Sequence, residues 1–186
     1  MQLVLGAFLH YAQAIDYTML PALTYISSQQ SQPTRDPMNK CKRYINYAAT
    51  YTNAHIRFHA SDMILTLHTD AAYLVITKAQ SRIAGYYYPG NRPNAKYHPK
   101  LNGSVIIECK TLNHFVASAT ESETGDIFTN PQMAIPIRVI LEVMNHPQPT
   151  TPIKSDNATS VGFFNKDTNK KKSKSWDMQY YCLRDR

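Results

Sequence analysis

The spacing of apolar residues predicts a helical first part of the chain. Over the first fifty residues, apolar side chains recur every three or four positions, as in amphipathic helices. The first helix is expected at about 2–14. The second is expected to start near Thr18, with Pro21 tolerated in its first turn. The side that this second helix would bury carries Leu20, Leu23 and Ile26.

A third helix is predicted after the polar segment 28–36. Asp36 is expected as its N-cap and Pro37 as its first residue, a typical start signal. The apolar positions at helical spacing, which we expect to face the core, are Met38, Cys41, Ile45 and Ala48.

Beyond about residue 55 apolar and polar residues begin to alternate, a pattern that is typical of strands. Three consecutive strands are predicted at 56–70, 81–89 and 103–110, with a turn at "GNRPN". A helix at about 117–130 should be interrupted by Pro131 and Pro136, so that "IRVILEVMNH" forms a separate helix.

The remaining residues predict a further strand and two helices. "IKSD" at 153–156 is a short strand, "NATSVGFFN" opens a helix, and "WDMQYYCLRDR" is helical. Three antiparallel strands followed by a strand that is reached through a helix predict an α/β fold with a mixed sheet and helices on its faces.

Composition narrows the functional classes. The 186 residues carry a formal charge of +7, which favours an anionic partner, most often nucleic acid, although ordinary solubility charge remains an alternative. Three widely spaced cysteines predict neither a disulfide framework nor a zinc site and fit a reducing compartment. Because "LVLGAFL" continues at helical spacing and no apolar run approaches about 18 residues, we expect an intracellular protein, not secreted and without a membrane span.

Three acidic residues occupy positions where binding sites are often built. Asp70 ends the first predicted strand, Glu123 lies one turn into the following helix, and Asp156 ends the fourth strand. Carboxylates brought together repel one another unless a cation compensates for them, and hard oxygen ligands suit Mg²⁺ or Mn²⁺. The alternative is that each acid is an isolated, solvated terminus.

The sequence around these acids resembles the ribonuclease H domain of copia-type LTR retrotransposon polyproteins. The segments that carry the resemblance are "HTDAAYL", "SRIAGYY", "VASATESETG", "PIKSDNATSVG" and "KSKSWDMQYYCLR". They follow in order the family pattern S-D-A, S-R-x-x-x-G, S-x-x-E-A-E, D-N-x-x-A and a basic helix. The preceding "QLVLGAFLHY" and "KRYINYAAT" are similar to the end of the adjoining reverse transcriptase, so the resemblance covers nearly the whole chain.

The resemblance implies a ribonuclease H-like fold over 60–186, preceded by a helical reverse-transcriptase remnant at 1–59. It implies that Asp70, Glu123 and Asp156 are catalytic and hold two Mg²⁺ or Mn²⁺ ions about 4 Å apart. The activity it implies is endonucleolytic hydrolysis of the RNA strand of an RNA–DNA hybrid. Further residues that it places close to the metal-binding acids are Glu121, Asn157 and Asp177.

The chain also departs from the family pattern. A fourth Asp, in an A-D-x-L-T-K block after one more strand, has no counterpart before Arg186, so the domain is expected to lack its last strand and helix. Asp177 is interpreted as structural rather than metal-binding. The alternative function is therefore a catalytically incomplete remnant that binds nucleic acid without cleaving it. The expected nucleic-acid contacts, weighed against a solvated loop, are Lys166, Lys170, Lys171, Lys172 and Lys174.

Overall fold

The computed structural model describes residues 1–31, 34–76, 79–93, 100–112 and 116–165. Five helices and four strands lie within them, together with a short 3-10 helix at Tyr17–Met19. Their bounds are α1 (Gln2–Ala14), α2 (Leu20–Ser28), α3 (Arg35–Thr50), β1 (Ile64–Ile76), β2 (Gln80–Gly90), β3 (Ile106–Thr111), α4 (Ala119–Val143), β4 (Ile153–Lys154) and α5 (Ala158–Phe164). The last predicted helix, at 176–186, lies outside the described residues.

The three N-terminal helices pack around a small apolar core. The prediction for α2 is confirmed, because Leu20, Leu23 and Ile26 are all buried. For α3 the prediction was partly wrong: the helix starts at Arg35, after Thr34 as N-cap, and places Asp36 in its first turn. Its buried face contains Cys41 and Tyr44, whereas Met38 and Ile45 are exposed. Tyr44 replaces Ile45 because its ring packs edge-on against Phe8, with centroids 5.3 Å apart.

The four strands form one mixed sheet in the order β3-β2-β1-β4. β2 is antiparallel to both β1 and β3, whereas β4 is parallel to β1. The predicted α/β class with a mixed sheet is therefore confirmed.

The first strand starts and ends later than predicted. β1 covers Ile64–Ile76, whereas residues 56–63 are not part of the sheet. In that segment the amide side chain of Asn102 bonds both backbone groups of His59, over 2.7 and 2.9 Å, and so takes the place of a strand neighbour. Alternation of apolar and polar residues does not by itself provide a neighbouring strand to pair with, which explains why the predicted strand started too early.

The helix α4 is continuous, although two interruptions were predicted. It runs for 25 residues through both Pro131 and Pro136. Each proline removes one backbone hydrogen bond and costs about 3 kcal/mol in an isolated helix. The buried residues Ala134, Ile137 and Leu141 pack against the sheet and offset that cost, while Pro136 lies on the exposed side.

The sheet has helices on both faces. Leu65, Leu67 and Tyr87 pack against α4, and the Tyr87 hydroxyl donates to the backbone carbonyl of Asn130 over 2.8 Å. On the other face Ile107 joins the core of the N-terminal helices, and the Thr24 hydroxyl donates to the Cys109 carbonyl over 3.1 Å. The helical segment is thus docked on the sheet.

Among the described residues, no helix combines the length and the apolarity that crossing a bilayer requires. Cys41 and Cys109 carry free thiols, Cys41 within the core of the helical segment and Cys109 on β3. Within the described part of the chain, neither thiol belongs to a group of residues that could share a metal ion.

Gly85 is required where α4 crosses β2. A Cβ atom at this position would lie 2.9 Å from the Tyr87 ring and 3.0 Å from Cγ of Asn130, closer than such atoms approach. Gly85→Ala should therefore lower the free energy of unfolding by about 1–3 kcal/mol, measured by urea denaturation.

Gly6→Ala is the matched control for this substitution. Gly6 lies in α1, and a Cβ atom there meets nothing within 4 Å. Because alanine favours helix, the control should be neutral or stabilising by up to about 1 kcal/mol. Equal effects of the two substitutions would contradict a close approach of α4 to β2.

Candidate metal centre

The parallel pairing of β1 with β4 brings Asp70 and Asp156 to the same end of the sheet. His68 is paired with Lys154, and each aspartate follows its strand residue by two positions. Residues equally far beyond a parallel pair lie side by side. The structure corrects one detail of the prediction, because Asp70 lies within β1, opposite Ala84 of β2, and not at the strand end.

The loop that leads into β4 is fixed by α4. Arg138 donates to the backbone carbonyls of Gln148 and Pro149 and to the hydroxyl of Thr151. The Gln148 side chain in turn bonds both the Leu65 amide and the Met63 carbonyl, each over 2.9 Å. These bonds determine the path of the chain toward Asp156.

The first turn of α4 positions Glu123. Ser118 is the N-cap, and its hydroxyl accepts from the Glu121 amide over 3.1 Å. The Glu121 carboxylate accepts in return from the Ala117 amide over 2.7 Å, which completes a capping arrangement. Glu121, predicted to lie close to the metal-binding acids, therefore serves the helix terminus, and Glu123 in the next turn faces the sheet.

The three predicted acids converge. One carboxylate oxygen from each of Asp70, Glu123 and Asp156 can be chosen so that all three lie within 4.8 Å of one another. Asp70 and Asp156 are exposed, whereas Glu123 is 8% exposed and its Oε2 has no hydrogen-bond partner among the residues that the structure describes. A buried carboxylate oxygen without a partner is costly.

Electrostatics at Glu123 favour the protonated form. Burial, together with the charges of Asp70 and Asp156, raises the pKa of Glu123 to about 7, although a hydrogen bond from the Ala71 backbone acts in the opposite direction. A cation among the three carboxylates would supply the missing partner of Oε2 and relieve their repulsion. Oxygen donors of this kind fit Mg²⁺ or Mn²⁺, and the ligands would be Asp70, Glu123 and Asp156.

Two buried polar residues behind this site were missed by the sequence analysis. Asp126 and Asn130 are both fully buried, one and two turns after Glu123 on α4. Burial, together with the charges of Glu123 and Asp70, raises the pKa of Asp126 to about 9, although hydrogen bonds with the Thr69 and Asn130 side chains act in the opposite direction. The sequence carried a signal for their burial, because positions 123, 126 and 130 continue the buried stripe of Ala134 and Leu141 at helical spacing.

Of the remaining predicted site residues, one is described by the structure. Asn157 is the N-cap of α5, and its Oδ1 accepts from the Ser160 amide over 3.0 Å. It follows Asp156 directly, and this bond holds the chain at that point. The predicted positions that lie outside the described residues are Asp177, Lys166, Lys170, Lys171, Lys172 and Lys174.

Comparisons of this chain with protein-family models, with curated proteins and with solved structures find no match. The structure defines the class: a mixed α/β domain in which three carboxylates lie close enough together to hold a metal ion.

The raised pKa of Glu123 makes stability depend on pH. Between pH 4.5, the ordinary pKa of a glutamate, and about pH 7, the Glu123 carboxyl is deprotonated in the unfolded chain but still protonated in the folded chain. Folding is therefore disfavoured increasingly as pH rises through this window, without metal. Glu123→Gln removes the effect, so its stability relative to wild type should grow from pH 4.5 to 7 and then level off.

Urea denaturation in EDTA at several pH values measures the difference in free energy of unfolding between Glu123→Gln and wild type. The contributions of the other titrating groups largely cancel in this difference. Glu142→Gln is the control: Glu142 is an exposed acid near the far end of the same helix, paired with Arg138 over 3.9 Å, and its substitution should change the pH dependence less than Glu123→Gln does. A stability gap between Glu123→Gln and wild type that is constant with pH would show that Glu123 titrates normally.

Proposed function

We propose that this chain is a retroelement-derived, ribonuclease H-like domain that hydrolyses the RNA strand of RNA–DNA hybrids with divalent metal ions. The observation that carries the proposal is the convergence of Asp70, Glu123 and Asp156, which are distant in sequence, within 4.8 Å. These are the same three residues that the resemblance to copia-type elements marks as catalytic.

The topology supports the same proposal. Three antiparallel strands, a long helix across the sheet and a fourth strand parallel to the first are the arrangement expected of a ribonuclease H-like fold. The acids come from the first strand, from the long helix and from the segment after the fourth strand, as that fold requires.

The chain's own residues would act mainly by position. Asp70 and Asp156 are exposed and open toward a substrate, whereas the buried Glu123 closes the site from behind. A divalent ion bound there would lower the pKa of a coordinated water and neutralise charge that develops on the phosphate. The three carboxylates fix that ion at one end of the sheet, and the net charge of +7 favours a polyanionic substrate.

A second candidate is binding of nucleic acid without cleavage. It is favoured by the number of acids, because the metal-binding group found among the described residues contains three carboxylates and the family pattern has four. In this case the domain would retain the fold and the positive charge of an ancestral ribonuclease H contiguous with a reverse transcriptase. Both candidates share the partner, an RNA–DNA hybrid or another nucleic acid.

Cleavage of a hybrid whose RNA strand is end-labelled tests the proposal. Wild-type protein should cut the RNA strand with Mg²⁺ or Mn²⁺, leave 5′-phosphate and 3′-hydroxyl ends, and be inactive in EDTA. Asp70→Asn removes a charged ligand and should reduce the rate at least about 100-fold, since even groups that only support ligands contribute 10–100-fold.

Asp36→Asn is the control, because Asp36 is an exposed acid on α3 that pairs with Lys40 and is absent from the site. Its activity should equal that of wild type. Binding of Mn²⁺ and of hybrid by wild type without cleavage would select the second candidate. Failure of wild type to bind Mn²⁺ at all would contradict both the metal centre and the nuclease.

A further inference from the structure

Asp126 is linked to the sheet indirectly, through Asn130 one turn later on the same helix. Its Oδ1 accepts from Nδ2 of Asn130 over 2.6 Å, and the same Nδ2 donates to the backbone carbonyl of Ala84 over 2.9 Å. Both side chains are fully buried. We call this arrangement of Asp126, Asn130 and the Ala84 carbonyl the polar clamp.

The polar clamp ends directly opposite one of the candidate ligands. Ala84 on β2 is the strand partner of Asp70 on β1. Asn130 reaches the Ala84 carbonyl because the neighbouring Gly85 has no side chain. The clamp therefore connects the helix that carries Glu123 with the strand pair that carries Asp70.

The apolar cluster that α4 forms with Leu65, Leu67 and Tyr87 is farther from the site than the polar clamp. Its first member on the helix is Met133, ten positions after Glu123, which is about 15 Å along the helix. Nearer the site, Ile127 is also buried on α4. The bond from Asn130 to the Ala84 carbonyl is directional and limits rotation of the helix, which apolar packing limits weakly. Asp126, three positions after Glu123 on the same helix, orients the Asn130 amide for that bond.

We infer that Asp126 is a positioning residue for the metal centre: through the polar clamp it holds the first turns of α4 where Glu123 meets Asp70 and Asp156. This inference rests on the proposed metal centre and deepens it. Asp126 needs only an acceptor oxygen for this role, since its partner is the Asn130 amide. An amide at position 126 would supply the same acceptor, whereas alanine would not.

The inference is tested by measuring the affinity of the full chain for Mn²⁺ alone by isothermal titration calorimetry. Asp126→Ala and Asn130→Ala should weaken binding at least about tenfold, because the ligand Glu123 loses its support. Asp126→Asn should bind within about threefold of wild type. If Asp126→Ala does not fold by circular dichroism, Asn130→Ala and Asp126→Asn decide the question.

Asp16→Ala is the matched control for the loss of a buried aspartate. Asp16 lies before the 3-10 helix and accepts from the Thr18 amide, so its loss should lower the melting temperature and leave Mn²⁺ affinity unchanged.

Three results would overturn the inference. Unchanged Mn²⁺ affinity in Asp126→Ala and Asn130→Ala would show that the clamp only contributes stability. Equal losses in Asp126→Asn and Asp126→Ala would show that Asp126 acts through its charge. Absence of Mn²⁺ binding in wild type would remove the metal centre itself, which distinguishes failure of the proposed function from failure of the clamp alone.

Discussion

The docking of α4 on the face of the sheet is the constraint on which the site depends. At its N-terminal end the helix presents Glu123, in its middle it packs on β1 and β2, and near its C-terminal end Arg138 holds the loop that precedes β4. One rigid element therefore determines where two of the three acids lie. The third, Asp70, belongs to the strand against which that helix packs.

The site is built at the expense of stability. A buried glutamate with an unpartnered oxygen, flanked by two further carboxylates and backed by a fourth buried carboxyl, is unfavourable for an ion-free fold. Buried polar groups of this kind are typical of functional sites, where the surrounding core maintains an arrangement that would not form alone. The apolar packing of Leu67 and Tyr87 beneath the helix provides that support.

Sequence reasoning was most successful where a local signal was strong. The bounds of α1 and the buried face of α2 followed from spacing, and the proximity of the three acids followed from the resemblance. It failed where tertiary context decided the outcome: α4 continues through its prolines because the sheet supports it, and β1 begins at Ile64 because only there does a neighbouring strand pair with it.

Asp126 and Asn130 were missed for a related reason. Single polar residues within a helical pattern are usually assigned to its solvated face, and only the packing of α4 shows that this face is buried. The sequence also did not reveal that Glu121 caps the helix. A Glu three residues after a Ser can indicate a helix cap, but in this segment it also matches the first Glu of the family's E-x-E pair.

The two prolines of α4 also bear on how the protein acquires its site. A 25-residue helix that lacks two internal backbone bonds has little tendency to form in the free chain, so it should become ordered only as it docks. Assembly of the three carboxylates is then coupled to global folding, and no partly folded form with a separate, preformed site is expected.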